Sequence, residues 1–227
     1  MSNSERVIVA LDLLSADEAV NMARHIAPVF PFFKIGIRLF TQAGPSLVQE
    51  ILKSGKVFLD LKFYDIPSVV ADAVLQAAQL GVSFLTLHAS GGTEMMALCR
   101  EKTAALKHRP RLLGVTVLTS FADLSEFGIQ RPLSQHVDLL AGLVGKAGLD
   151  GLVCSPAELP ELRPRFPELL MVTPGIRGPE DEKGDQKRTA SPKAALEAGA
   201  SYLVIGRPII AAPDPVAEAN RIAESIG

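Results

Sequence analysis

Cysteine is scarce in this chain of 227 residues, with only Cys99 and Cys154 present. Two thiols cannot build a disulfide framework or a cysteine-rich metal site, and their scarcity fits a reducing compartment. An excess of one charge is also lacking, since 23 basic residues stand against 25 acidic ones for a net of −2. That balance gives no footing for a general nucleic-acid or anionic-membrane surface, although a small basic pocket can hide inside a neutral total. Long apolar runs are absent too. The longest uncharged stretch near the middle, residues 73–87, carries Gln76, Gln79, Ser83 and Thr86 and falls short of a spanning helix. The opening M-S-N-S-E-R-V-I-V-A shows no signal-peptide apolar region. The expectation is a cytoplasmic globular protein with neither membrane nor nucleic-acid partners.

Several catalytic signatures are missing as well. There is no G-x-G-x-x-G or Walker pattern. His25, His88, His108 and His136 show no metal-ligand spacing, so structural histidines are their plain reading. Ser90 has no nucleophile-elbow context, and G-L-V-G (142–145) lies in a helical stretch and reads as packing.

What is present is an alternation. Apolar residues make up 48% of the chain and charged residues 21%, enough to bury a sizeable core. Short β-branched runs fall at 6–12, 32–37, 56–62, 83–89, 111–118, 150–155, 169–176 and 201–207. Helical spacing separates them, as at 16–27, 69–80, 95–106, 137–147 and 192–198, with glycines 55, 81, 148 and 199 as stops. Eight strand–helix units of about 28 residues approach the lower size limit of a (β/α)₈ TIM barrel. Strict alternation implies parallel strands with right-handed crossovers, for which an open doubly wound sheet is the alternative. No linker or composition shift divides the chain, so residues 1–227 read as one barrel domain. Its one long polar loop, at about 178–191, follows the seventh strand, where barrels often keep a functional lid.

In a barrel the site lies at the C-terminal strand ends. Polar residues gather there: Asp12 after strand one, Lys34 in strand two, Asp60 and Lys62 in strand three, and His88 in strand four. Thr119, Arg177 and Arg207 follow strands five, seven and eight. In F-L-D-L-K-F-Y-D-I-P (58–67), alternation puts Asp60 and Lys62 on one face and Leu59 and Leu61 on the other. The leucines suit the layer beneath the helices, which turns the charges inward as a pair. A buried structural ion pair is the plain alternative. Asp65 falls beyond the strand and need not reach its own chain's pocket. Lys34, between Phe33 and Ile35, either snorkels to the surface or completes a Lys–Asp–Lys array. Lys62 among carboxylates suits a general acid better than a Schiff-base nucleophile. V-T-P-G-I-R (172–177) and V-I-G-R-P (204–208) read as anion sites, with Gly206 permitting close approach and Arg207 offering a two-pronged contact.

These same segments resemble the orotidine 5′-monophosphate decarboxylase family. The resemblance runs through V-I-V-A-L-D (7–12), F-K-I-G (33–36), D-L-K-F-Y-D-I-P (60–67), H-A-S-G-G (88–92) and V-T-V-L-T-S (115–120). It continues through G-L-D-G-L-V-C-S (148–155), V-T-P-G-I-R (172–177), G-D-Q-K-R (184–188) and V-I-G-R-P (204–208), and so covers essentially the whole chain. D-x-K-x-x-D alone is shared with related sugar-phosphate barrels; the ordered set is highly specific.

The resemblance implies conversion of orotidine 5′-monophosphate to UMP and CO2 without a metal or organic cofactor, in a homodimer with shared sites. It makes Lys62 the proton donor to C6 of the pyrimidine, sets Asp60 against the substrate carboxylate, and has Lys34 complete the array and contact the ribose. Asp65 would enter the partner's site. Asp12 would hold a ribose hydroxyl, and Thr119 would lie beside the nucleotide. Gln186, Gly206 and Arg207 would hold the 5′-phosphate, with Arg177 at the base of the closing loop. One departure stands out: D-I-P-S-V replaces the family's common D-I-P-N-T, so Val69 lacks a hydroxyl often found at the dimer interface. Two alternatives stay open. A magnesium-dependent sugar-phosphate enzyme would need an acid near strand two, where Lys34 stands. A catalytically silent phosphate-ligand binder would have no use for the full charged set.

Overall fold

The computed structural model describes residues 3–12, 14–177 and 189–227. The eight strands are β1 (Val7–Ala10), β2 (Phe32–Gly36), β3 (Lys56–Phe63), β4 (Phe84–His88), β5 (Arg111–Val115), β6 (Gly151–Val153), β7 (Leu170–Thr173) and β8 (Tyr202–Ile205). They pair in sequence order, all parallel, and β8 closes on β1. The closed ring settles the choice between barrel and open sheet. Around it run α1 (Ala16–Ile26), α2 (Ile37–Leu52), α3 (Pro67–Gln79), α4 (Gly92–Thr103), α5 (Leu133–Lys146), α6 (Leu159–Arg165), α7 (Pro192–Glu197), α8 (Arg207–Ile210) and α9 (Pro215–Ile226). Among the described residues no helix is long and apolar enough to cross a membrane.

Local chemistry accounts for the helix ends. Ser15 and Glu18 form a reciprocal capping box at the start of α1. Asp214 caps α9 by accepting from the N–H groups of Val216 and Ala217. The expected stops at Gly81, Gly148 and Gly199 each follow a helix with a positive φ. Within α2, Gly44 at φ 61° and Pro45 break the helical path, which hides this helix from a simple periodicity reading.

Burial falls into two layers. Outward-facing strand residues such as Val9, Ile35, Leu59 and Leu85 pack beneath the helices in one large cluster, with Leu61 half-buried against it. Inward-facing Ile8, Phe32, Phe58, Phe84, Leu113, Val172 and Val204 fill the barrel. Edge-to-face contacts of Phe84 with Phe32 and Tyr202, both at 5.0 Å, plug its lower half. Two residues further along these strands, on the same inward face, come Lys34, Asp60 and Thr86. An aromatic floor thus carries a polar layer directly above it.

Several strands are shorter than expected. β1 stops at Ala10, β5 at Val115 and β7 at Thr173. Beyond each, the chain leaves the ladder to build the rim, so Asp12, Thr119 and Arg177 lie on loops. The closing loop expected at about 178–191 falls largely outside the described residues. Of its described end, Ala190 bridges back to Ile176, and its carbonyl accepts from Arg177 N–H at 3.0 Å.

Candidate active site

The polar layer opens into a cavity of about 320 Å³ at the C-terminal end of the barrel. Eight of the ten expected site residues line it: Asp12, Lys34, Asp60, Lys62, Thr119, Arg177, Gly206 and Arg207. Asp65 does not. It is exposed just past β3, where its carboxylate accepts from Ile66 N–H at 2.7 Å. Gln186 lies outside the described residues.

A chain of alternating charges crosses the floor. Asp12 pairs with Lys34, and Lys34 Nζ lies 3.4 Å from Asp60 Oδ2. Lys62 Nζ donates to both Asp60 oxygens at 2.9 Å. Asp60 and Lys34 are buried, whereas the Lys62 side chain is 35% exposed. Lys34 therefore does not snorkel to the surface, because its ammonium is held between two carboxylates. Desolvation alone would raise the Asp60 carboxyl, but Lys34, Lys62 and a Thr86 hydrogen bond outweigh it and hold it below its usual value. Burial alone would lower the Lys34 ammonium, but Asp60 and Asp12 outweigh that and hold it above the usual value. Asp60 and Lys34 are therefore both charged at neutral pH, and a buried pair of this kind persists only because each member is matched by an opposite charge.

The rest of the lining sets polarity. Lys34, Lys62, Arg177 and Arg207 bring four positive charges against the two of Asp12 and Asp60, so the cavity favours an anion. Val115, Val153, Val204 and Ile210 supply an apolar wall suited to a flat ring. Asp12 Oδ1 is buried and finds no hydrogen-bond partner among the described residues, which leaves an acceptor for a ligand hydroxyl. His88 lies at the rim with its ring 5.9 Å from that of Tyr64. Burial and then the Lys62 charge hold His88 below the usual histidine value. The thiols take no part, since burial pushes Cys99 up to about 11 and Cys154 up to about 12.

Residues 5–222 match the Orotidine 5′-phosphate decarboxylase / HUMPS family. The chain belongs to that family. It is 45% identical to the orotidine 5′-phosphate decarboxylase of Coxiella burnetii, over 97% of this chain and 96% of that protein. It is 48% identical to the Nitrosococcus oceani enzyme of the same name, over 93% of each. The solved orotidine 5′-phosphate decarboxylase of Lactobacillus acidophilus superposes with a TM-score of 0.85 at 35% identity, covering 98% of this chain and 99% of that one.

Three residues that shape the site in this member of the orotidine 5′-phosphate decarboxylase / HUMPS family were given no role by the motif reading, although Gly36 ends its F-K-I-G segment. Gly36 ends β2 where an added Cβ would fall 2.2 Å from Asp12 Oδ1, so only glycine leaves room for that carboxylate. Arg38 fixes the same loop by donating to the Asp12 carbonyl at 2.7 Å. Thr86 Oγ1 lies 2.9 Å from both Asp60 Oδ1 and Lys62 N. The abrupt change from β2 to α2 at Gly36 was a usable signal. So was a lone threonine on the inward face of F-L-T-L-H.

Proposed function

We propose that this protein decarboxylates orotidine 5′-monophosphate to UMP and CO2, the last step of de novo UMP synthesis. The observation that carries this reading is the Lys34–Asp60–Lys62 array on the floor of a net-cationic cavity. Family membership and the names of the relatives support it. Loss of CO2 breaks the C6–carboxylate bond and leaves its electron pair at C6, with no cofactor as electron sink. The Lys62 ammonium stabilises that charge and delivers the proton. Asp60 faces the departing carboxylate, and Lys34 reaches the ribose from the far side of Asp60. Asp12 takes a ribose hydroxyl on its unpartnered oxygen, and Thr119 lies beside the nucleotide. Arg207, Gly206 and Gln186 hold the 5′-phosphate, and Arg177 anchors the base of the loop at 178–191. Phosphate binding, remote from the reacting carbon, would close that loop and expel water. The reaction as proposed uses no metal or organic cofactor.

The working unit in this reading is a homodimer whose sites share Asp65. Ile37 after β2, and Tyr64, Ile66 and Val69 after β3, are large apolar side chains left exposed beside the cavity. An apolar patch in that position fits a surface covered by a second copy, which would bring Asp65 to its neighbour's site. The magnesium-dependent alternative is disfavoured, because Lys34 already occupies the space between Asp12 and Asp60. The deciding experiment follows the loss of orotidylate absorbance with and without EDTA. Turnover unaffected by chelation is expected. Absence of turnover overturns the decarboxylase reading, and EDTA-sensitive turnover overturns the metal-free one.

A further inference from the structure

β3 and β4 do not pair evenly. Leu59 lies opposite Leu85 and Phe63 opposite Leu87, so Asp60, Leu61 and Lys62 together face the single residue Thr86. The two extra residues form a bulge. Within it Lys62 adopts φ 51°, the one positive φ among the described residues other than glycine. A side chain with a Cβ is strained in that region and stays there only if its surroundings impose it. The bulge also removes Lys62 N–H from the regular ladder, and this N–H donates to Thr86 Oγ1 at 2.9 Å. The Thr86 hydroxyl in turn donates to Asp60 Oδ1 at 2.9 Å. Thr86 is fully buried, so no water competes for either bond.

We infer that Thr86 is a positioning residue for the reaction proposed above, setting the Lys62 backbone and the Asp60 carboxylate in one geometry. A hydroxyl has one proton and free lone pairs. Here the proton is committed to Asp60 and a lone pair to Lys62, so the two catalytic candidates are tied through one oxygen. The link acts where it matters, because Lys62 Nζ must find Asp60 and the reacting carbon from a backbone that would otherwise relax to extended strand. Valine has nearly the same shape as threonine but can make neither bond, whereas serine can make both.

The experiment compares wild type, Thr86→Val and Thr86→Ser, with orotidylate as substrate and UMP as the binding probe. Thr86→Val should lower kcat roughly 10- to 100-fold, the scale of a small misplacement of catalytic groups. KM and UMP affinity should stay within about threefold, since the valine leaves the phosphate and ribose contacts alone. Thr86→Ser should return kcat to within about threefold of wild type. Amide exchange at Lys62 supplies a readout that does not depend on activity. It should quicken in Thr86→Val and not in Thr86→Ser. A Thr86→Val protein of lowered thermal stability but unchanged kcat gives Thr86 a structural role only and overturns the inference, as does unchanged Lys62 exchange. If wild type fails to consume orotidylate, the functional reading falls by itself, and the exchange data still decide whether Thr86 holds Lys62.

Discussion

Lys62 approaches both oxygens of the Asp60 carboxylate at 2.9 Å, while Lys34 holds the same carboxylate from its other side. Asp60 therefore titrates below its usual value when folded. A depressed folded value means that the unfolded chain takes up the proton first on acidification. The array's stabilisation is then complete above about pH 5 and is lost as pH falls through the folded value. Lys34 has the opposite sign, because its folded value is raised. Its contribution is complete below the unfolded value of about 10.4 and is lost as pH rises through the folded one. Urea unfolding between pH 7 and pH 3 should show a steeper stability loss for wild type than for Asp60→Asn. Parallel curves would remove Asp60 as the source.

Lys62→Ala should abolish turnover while sparing product binding. Removing a general acid costs about 10²–10⁴ in rate, and loss of the charge facing C6 adds to that. Steady-state kinetics beside UMP titration separates the two effects. Near-normal kcat in the variant would refute the role.

Much of this was legible in the sequence because barrels repeat one instruction eight times. Alternating β-branched runs and helical spacing locate the eight strands, though neither their closure into a ring nor the last residues of β1, β5 and β7. The C-terminal side of the strands marks the site. Asp60 and Lys62 were readable because their flanking leucines could only face the helices. The bulge beneath Lys62 was not readable, since a positive φ at a lysine leaves no mark in composition. Thr86 was equally hidden, because its meaning depends on a register shift between two strands rather than on its neighbours in sequence. Asp12 looked like the end of a strand, yet the strand stops at Ala10, and the room for the Asp12 carboxylate comes from Gly36, 24 residues after Asp12.

At the opposite end of the barrel an ion pair should matter for stability alone. Asp150, just before β6, accepts from Arg109 at 2.6 and 2.7 Å and from Leu112 N–H at 2.8 Å, tying β5 to β6. Asp150→Ala leaves a half-buried guanidinium and the Leu112 N–H without their acceptor and should cost about 1–3 kcal/mol. Charges on this face lie far from the cavity, so kcat and KM at 25 °C should stay as in wild type. Chemical denaturation and kinetics on the same preparation check both halves.

Arg207 follows β8 and lines the cavity beside Gly206. Arg207→Ala should weaken the 5′-phosphate nucleotide by about 2–5 kcal/mol, the cost of removing one partner of a desolvated charge pair. The already weak binding of the phosphate-free nucleoside should barely change. Titrating UMP and uridine against both proteins is the check, and equal losses for the two ligands would show that Arg207 does not read phosphate.

Asp65 gives the most demanding test. Its carboxylate lies past the end of β3 and outside its own chain's cavity, next to exposed Tyr64 and Ile66. If it serves the neighbouring site, Lys62→Ala and Asp65→Ala homodimers are each nearly inactive. In a mixed dimer the Asp65→Ala chain contributes an intact Lys62, and the Lys62→Ala chain contributes its intact Asp65 across the interface. One site is then whole and the other doubly defective. Random exchange of equal amounts makes about half the dimers mixed, each with one good site in two, so activity recovers to about a quarter of wild type under two-fold symmetry. Mixing the inactive variants under conditions that permit exchange, with mixed dimers verified by mass spectrometry, provides the measurement. Confirmed exchange without recovered decarboxylation would mean that Asp65 serves its own chain or that the sites are not shared.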